Sequence, residues 1–396
     1  MAQIVKRKSG YLIRVSCGYD TTGKQVTQSM TYKPAPNMTE KQIQKELNKK
    51  AVEFEQACQG KQVVNTIKFE TFCEQWFEEY ANIKLKERTL ERYRQLRERT
   101  YKAIGHLRID KITARHIQNF VNSLQKDGMN MHTGGKLSPK TIKHYVSFIS
   151  SIFDYAIKMQ MLSDNPCKYV TLPKIKQAER DCYTLEEAQH FLDLLQNEPL
   201  KYQAFFVLAI YGGFRRGEIL GLEWKDINFE TGLVSINRTA LYSRDKGHYT
   251  DTPKTKGSIR SLKLPQNVMF ILKKHQNEQF SQRLKIGDQW HETDRLFTTW
   301  NGKQMDGATP YNWLKKFCQR NNMRFVNLHS FRHLNASILI NSGIDIRTVS
   351  ACLGHSQTST TLNIYAHTFE QAKANAMETV ANAIDFKGAK EKQNIG

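Results

Sequence analysis

The chain has 396 residues, with 59 Lys and Arg against 38 Asp and Glu, a formal net charge of +21. A hydrophobic share of 39% excludes a disordered chain, and this length predicts two or three domains that each bury a core. The charge excess predicts a polyanionic partner without separating DNA from RNA or anionic lipid, and seven scattered cysteines with no Cys-x-x-Cys exclude a disulfide framework or zinc ribbon.

The N-terminal stretch MAQIVKRKSGYLIRV has no apolar h-region, so no signal peptide is expected, and the cysteine usage predicts a reducing cytoplasm. Its first 35 residues read as strands. YLIRVSCGY and KQVTQSMTY are rich in β-branched and aromatic residues and flank the turn signal Asp20-Thr21-Thr22-Gly23, with IVKRK as a third strand. A helix is predicted from Thr39, with Gln42 completing a capping box and Ile43, Leu47, Ala51, Phe54 and Cys58 forming one stripe. Residues 1–60 carry ten Lys/Arg and five Asp/Glu, a net charge of +5. This first domain suits a DNA groove or, blandly, a structural appendage.

After a polar linker, residues 66–170 read as an all-helical domain. Phe69, Phe72, Cys73, Trp76, Phe77 and Tyr80 share one face; Leu90, Tyr93, Leu96 and Ile104 follow on a helix after Thr89. The many Lys and Arg between Lys84 and Lys102 exceed the acids available to pair with them, which points to phosphate contacts. Thr113 caps a third helix, and a fourth runs from Thr141 to Met159, with Asn165-Pro166 as its stop. The basic segment LPKIKQAERD is an interdomain connector.

The third domain, 181–396, opens on the capping box Thr184-x-x-Glu187. It continues through an apolar helix (Lys201 to Tyr211), GGFRRGEILGLEWKDINF, and strands GLVSINRT and SIRSLKLP around a polar segment, Ser243 to Lys256. That segment reads as the flexible, charged tip of a β-hairpin. The apolar run Phe205 to Tyr211 is too short to span a bilayer, so no membrane partner is expected. The rest is helical, ending in an amphipathic helix from Phe369 to Ile384.

Within this domain lies LHSFRHLNASILINSGIDIRTVSACLGHSQTSTTLNIYAH, with His329, Arg332, His355 and Tyr365; Arg215 and a lysine near 254 complete a set. Each residue alone has an ordinary reading: Tyr365 is one of 16 tyrosines, Arg215-Arg216 could be basic surface, and His329 with His333 mimics half a zinc site. No His-Glu-x-x-His and no suitable thiol set accompany that pair, so no metal or other cofactor is expected. Together the groups suit attack on a DNA phosphodiester. Guanidiniums match the charge that develops on the non-bridging oxygens. A phenol, with an unperturbed pKa of about 10, needs help losing its proton. The leaving 5′-hydroxyl needs a general acid, which a lysine on a hairpin can supply. A phosphotyrosyl link replaces one phosphodiester with another, so the step reverses without a high-energy cofactor.

GFRRGE, PKTKGSIR, HSFRH, LGHS and TTLNIYAH, in this order, resemble the tyrosine recombinase (phage integrase) family, most of all integrases of Gram-positive temperate phages and conjugative transposons. The resemblance implies a mainly α, multidomain architecture: a small β-sheet-plus-helix arm-site DNA-binding domain, a helical core-binding domain, and a mixed α+β catalytic domain. It implies Arg215 as first catalytic arginine, Lys254 as general acid with Lys256 as rival, His329 and Arg332 as the His-x-x-Arg pair, His355 on the scissile phosphate and Tyr365 as nucleophile. Ser330 stands where Asp is frequent, and Leu334 where Thr is. Site-specific integration and excision of a mobile element on double-stranded DNA, by a homotetramer acting at core and arm sites through a Holliday junction, is the expected activity. By analogy an excisionase and a host DNA-bending protein would assist. The rival readings are a chromosome-dimer resolvase, a type IB topoisomerase and a catalytically silent DNA-binding regulator.

Overall fold

Three strands near the N-terminus alternate inward and outward residues, and they pair as expected for such a pattern. The computed structural model describes residues 2–7, 10–19, 25–35, 38–58, 67–175, 181–252 and 256–364. Strands β1 (Gln3–Arg7), β2 (Gly10–Tyr19) and β3 (Gln25–Tyr32) form an antiparallel sheet in the order β1-β2-β3, with an irregularity between Ser16 and Tyr19. Helix α1 (Glu40–Cys58) lays Leu47 and Ala51 over Ile13 and Tyr32, and the Tyr32 hydroxyl donates to Glu46 at 2.6 Å. At its start Gln42 accepts from the Thr39 N–H at 2.9 Å, the half of the capping box that closes back on the N-cap. The chain divides into two units, Met1–Gln177 and Ala178–Gly396.

The helical bundle of the first unit begins with α2 (Phe69–Trp76), which runs on through a π-turn (Phe77–Ala81) into the short α3 (Asn82–Lys84). The π-turn inserts one residue into the helical repeat, and Trp76, Phe77 and Ala81 are all buried along it. Helices α4 (Glu87–Thr100), α5 (Ala114–Leu124) and α6 (Pro139–Lys158) complete the bundle, their inward stripes meeting around Trp76, Phe148, Ile149 and Phe153. Helix α5 has Thr113 as its N-cap. Helix α6 starts earlier than expected, because Ser138 accepts the Thr141 N–H and Pro139 fits the first turn. It also stops earlier: the chain leaves α6 through Gln160 at φ 58°, and Asn165 caps a separate short 3-10 turn, Pro166–Tyr169.

The second unit opens with α7 (Leu185–Leu195), whose reciprocal capping box between Thr184 and Glu187 is as expected. Helix α8 (Leu200–Tyr211) is apolar on every side and runs through the core, with Ala204 to Ile210 all buried. Around it pack α9 (Arg216–Gly221), α10 (Gln266–Ile286), α11 (Thr309–Arg320) and α12 (Leu328–Asn341), and then follow α13 (Ile346–Leu353) and α14 (Thr358–Ile364). Phe191, fully buried, meets Tyr183, Phe206, Phe317 and Phe331 at ring distances of 5.0–5.9 Å. Truncating such a core ring costs about 3–5 kcal/mol.

Beside the helices, β4 (Ile227–Asn228), β5 (Leu233–Ile236) and β8 (Arg260–Lys263) form a three-stranded antiparallel sheet in the order β4-β5-β8. The segment expected to be a flexible tip departs from that reading. Thr239–Ser243 (β6) and Gly247–Asp251 (β7) pair as a second hairpin, turning through Arg244-Asp245-Lys246 into Gly247 at φ +66°. TALYS and GHYTD each place small, β-branched or aromatic residues in alternation, and this local pattern outweighs the polar composition. Among the described residues no helix is long and apolar enough to cross a membrane.

Candidate active site

Helix α8 has to stop before the arginines can leave its axis, and two glycines let it. Asn335 of α12 donates its amide to the carbonyls of Ile210 and Tyr211 at 2.9 and 3.1 Å, satisfying the end of α8. Gly213 then turns at φ +57°, where a Cβ would stand 2.8 Å from Asn335 Oδ1. The turn delivers Arg215 to the N-cap position of α9.

Arg215 is held from two sides. Its Nη1 donates to Glu218 Oε1 at 2.6 Å, and its Nη2 donates to the carbonyl of Gly354 at 3.2 Å. The side chain remains 36% exposed, so it can meet a ligand. Arg332, on the second turn of α12, is 2% exposed and donates to the carbonyls of Gly213 and Leu353 at 2.8 and 2.5 Å. Both arginines thus converge on the end of α13. There Gly354 takes the left-handed conformation, φ +63°, and sends the chain back toward His355.

His355 is half-buried, and its Nδ1 lies 2.7 Å from the hydroxyl of the buried Thr361, which fixes the ring plane. Burial, followed by the positive charges of Arg332 and Arg215, pushes the imidazole down to about 4, so the ring is neutral at pH 7. His329 is exposed on the first turn of α12, its ring 4.8 Å from that of His333 and edge to face with it. Among the described residues no group of three or more metal-ligating side chains forms.

Lys254 and Tyr365 lie outside the described residues, as does the side chain of Lys256. In sequence Tyr365 follows Ile364, the last residue of α14. The backbone of Lys256 opens a short 3-10 turn, Lys256–Ser258. This turn runs beside the histidine: a Cβ on Gly257 would stand 3.9 Å from Ser356 Cα and 4.0 Å from the His355 carbonyl. Arg216, the neighbour of the first arginine, points elsewhere and donates to the Gly307 carbonyl at 3.1 Å.

Two further residues, Glu218 in GFRRGE and Arg260 in PKTKGSIR, belong to the constellation, although the motifs alone assign them no role. Glu218 is 2% exposed and bridges Arg215 to Arg260, whose Nη2 it accepts at 2.9 Å. Burial would raise its carboxyl, but the charges of Arg260 and Arg215 outweigh burial and hold it below the ordinary range. The available signals were the acid in the otherwise apolar GEILGL and the alternation Arg260, Leu262, Leu264, which puts an arginine on the inward face of β8. Arg215, Arg260 and Arg332 against Glu218 leave a net charge of +2. That sum suits a phosphodiester better than a neutral ligand, and it suits a doubly charged pentacoordinate state better still.

Similarity to known proteins extends over both units. Residues 182–372 match the Phage integrase family, and residues 68–125 match the phage integrase N-terminal SAM-like domain. A "Tyrosine recombinase XerC-like" protein of Caldanaerobacter subterraneus subsp. tengcongensis is 33% identical over 69% of this chain and 72% of its own length. The ICEBs1 integrase of Bacillus subtilis is 27% identical over 70% of this chain and 72% of its own. A solved Tn1549 transposon integrase, in complex with transposon right end DNA, shares the fold with a TM-score of 0.65 at 23% identity, covering 80% of this chain and 100% of that one. This chain belongs to the phage integrase family, the tyrosine recombinases.

Proposed function

We propose that the chain integrates and excises a mobile genetic element by cutting and rejoining DNA through Tyr365. The phenolic oxygen attacks a backbone phosphorus, and the bond to the 5′-oxygen breaks. A 3′-phosphotyrosyl link results, and the leaving oxygen takes a proton from Lys254, with Lys256 as the rival donor. The proton of the phenol passes to His329. Arg215 and Arg332 hold the non-bridging oxygens, and His355, neutral and fixed by Thr361, donates to one of them through Nε2. Attack by the 5′-hydroxyl of a partner strand reverses every step, so no cofactor is consumed.

The observation that carries this reading is the meeting of Arg215 and Arg332 on the Leu353–Gly354 turn that presents His355, ten residues ahead of Tyr365. The charge of +21 favours a polyanionic partner, and membership of the phage integrase family makes double-stranded DNA that partner. The sheet at residues 1–60 is assigned to arm sites and residues 66–170 to the core site, with four copies on two DNA sites, an excisionase and a host DNA-bending protein completing the assembly. The catalytic segment is assigned to residues 181–396.

Tyr365→Phe tests the central step. On a nicked duplex cut from the junction between the encoding element and its host, wild type should form a covalent adduct on denaturing gels. The variant should bind this duplex equally and form none. An undiminished adduct with Tyr365→Phe removes Tyr365 from the role.

A further inference from the structure

We infer that Arg260 is a positioning residue for the phosphate clamp, acting through Glu218 and through the end of α13. It sits on β8, 45 residues beyond Arg215, and its side chain is only 7% exposed. Its guanidinium makes three directed bonds. Nη2 donates to Glu218 Oε2 at 2.9 Å, Nε to the Cys352 carbonyl at 2.7 Å, and Nη1 to the Ser258 carbonyl at 3.1 Å. The ring of Phe214, next to Arg215, lies 5.4 Å from its charge.

These contacts reach both holds on Arg215. Glu218 accepts from Arg215 through Nη1 and also from its backbone N–H, at 2.6 and 3.0 Å. Cys352 lies just before Leu353 and Gly354, whose carbonyls receive Arg332 and Arg215. Arg260 therefore fixes the carboxylate that aims Arg215 and the turn that aims both arginines and His355. Packing enforces the fit, since a Cβ at Gly354 would stand 2.7 Å from Arg260 Nη1. A planar fork of donors can serve three acceptors in three directions, and the compact lysine ammonium cannot reproduce that geometry. Because all three bonds end on protein atoms, the arginine acts on the reaction through its neighbours.

The inference rests on reading Arg215 as a clamp on the scissile phosphate, and the test separates the two. Full-length Arg260→Ala and Arg260→Lys are compared with wild type on the nicked junction duplex, in single turnover. The expected result is a loss of about a hundredfold in cleavage for Ala, the scale of one lost oxyanion donor, and a smaller loss for Lys. Duplex affinity should stay within about threefold, since the clamp acts mostly on the transition state. A duplex with sulfur in place of the leaving 5′-oxygen needs no general acid, and the same loss should persist on it. Full recovery on the sulfur duplex, or unchanged cleavage on both, overturns the inference.

Amide hydrogen exchange without DNA supplies the independent arm. Residues 213–216 and 353–357 should exchange faster in Arg260→Lys, which keeps the charge should the alanine variant fail to fold. Unchanged exchange there overturns the inference whatever the reaction is. Absence of any wild-type adduct would instead overturn the functional reading.

Discussion

His355 shows how a site can set a protonation state before any substrate arrives. An ordinary imidazole titrates near pH 6.5, whereas burial and two nearby guanidiniums bring this one to about 4. Between those values the unfolded chain holds a proton that the folded chain lacks. The contribution of this residue to stability is therefore fully present above pH 6.5 and is lost as pH falls toward 4. An NMR titration of the DNA-free protein should give a His355 midpoint near 4. A midpoint near 6.5 would mean that the ring is solvated and far from Arg332 and Arg215. Single residues are also where sequence reading met its limit. Arg215, His329, Arg332 and His355 stand out by motif. Glu218 and Arg260 lie in the same motifs, but their pairing was not legible, because it joins segments 42 residues apart that only the tertiary fold brings together.

Elements were more legible, since amphipathic periodicity is local. The stripe on α1, the cap of α5 and the capping box of α7 could all be read from spacing. The π-turn after α2 could not, because a one-residue insertion leaves composition and periodicity nearly unchanged. The β6–β7 hairpin was hidden by the charges of its turn, Arg244-Asp245-Lys246, which stay exposed at the surface. At this scale the α13 terminus is the sensitive joint. Gly354→Ala forces a side chain into the left-handed region, at about 1–2 kcal/mol, and drives its Cβ toward Arg260. Thermal unfolding should drop by about 2–4 °C per kcal/mol for a unit of this size. Cleavage should fall further than stability, because Arg215 and His355 move with the turn. A variant as stable and as active as wild type would show that the turn is not a constraint.

At the level of the whole molecule, the proposed function gives residues 1–60 a task apart from the rest of the chain, and truncation should separate them. Removing residues 1–60, which carry a net charge of +5, takes away the sheet and α1 with their own small core of Ile13, Tyr32, Leu47 and Ala51. The shortened chain should still cleave the core duplex and should lose binding to distal arm repeats, as gel-shift titration at fixed salt would register. Unchanged affinity for every site would assign the module another task. Salt must be fixed in that comparison, because removing positive charge lowers non-specific affinity as well.

The shared carboxylate has an evolutionary consequence. Glu218 answers to Arg215 on one side and Arg260 on the other, so change at 218 alone strands the buried Arg260 charge, and change at 260 alone leaves the buried carboxylate with one arginine in place of two. Inherited change at one position is tolerable only alongside change at the other, and lineages that abandoned the pair would have had to leave it in two coordinated substitutions.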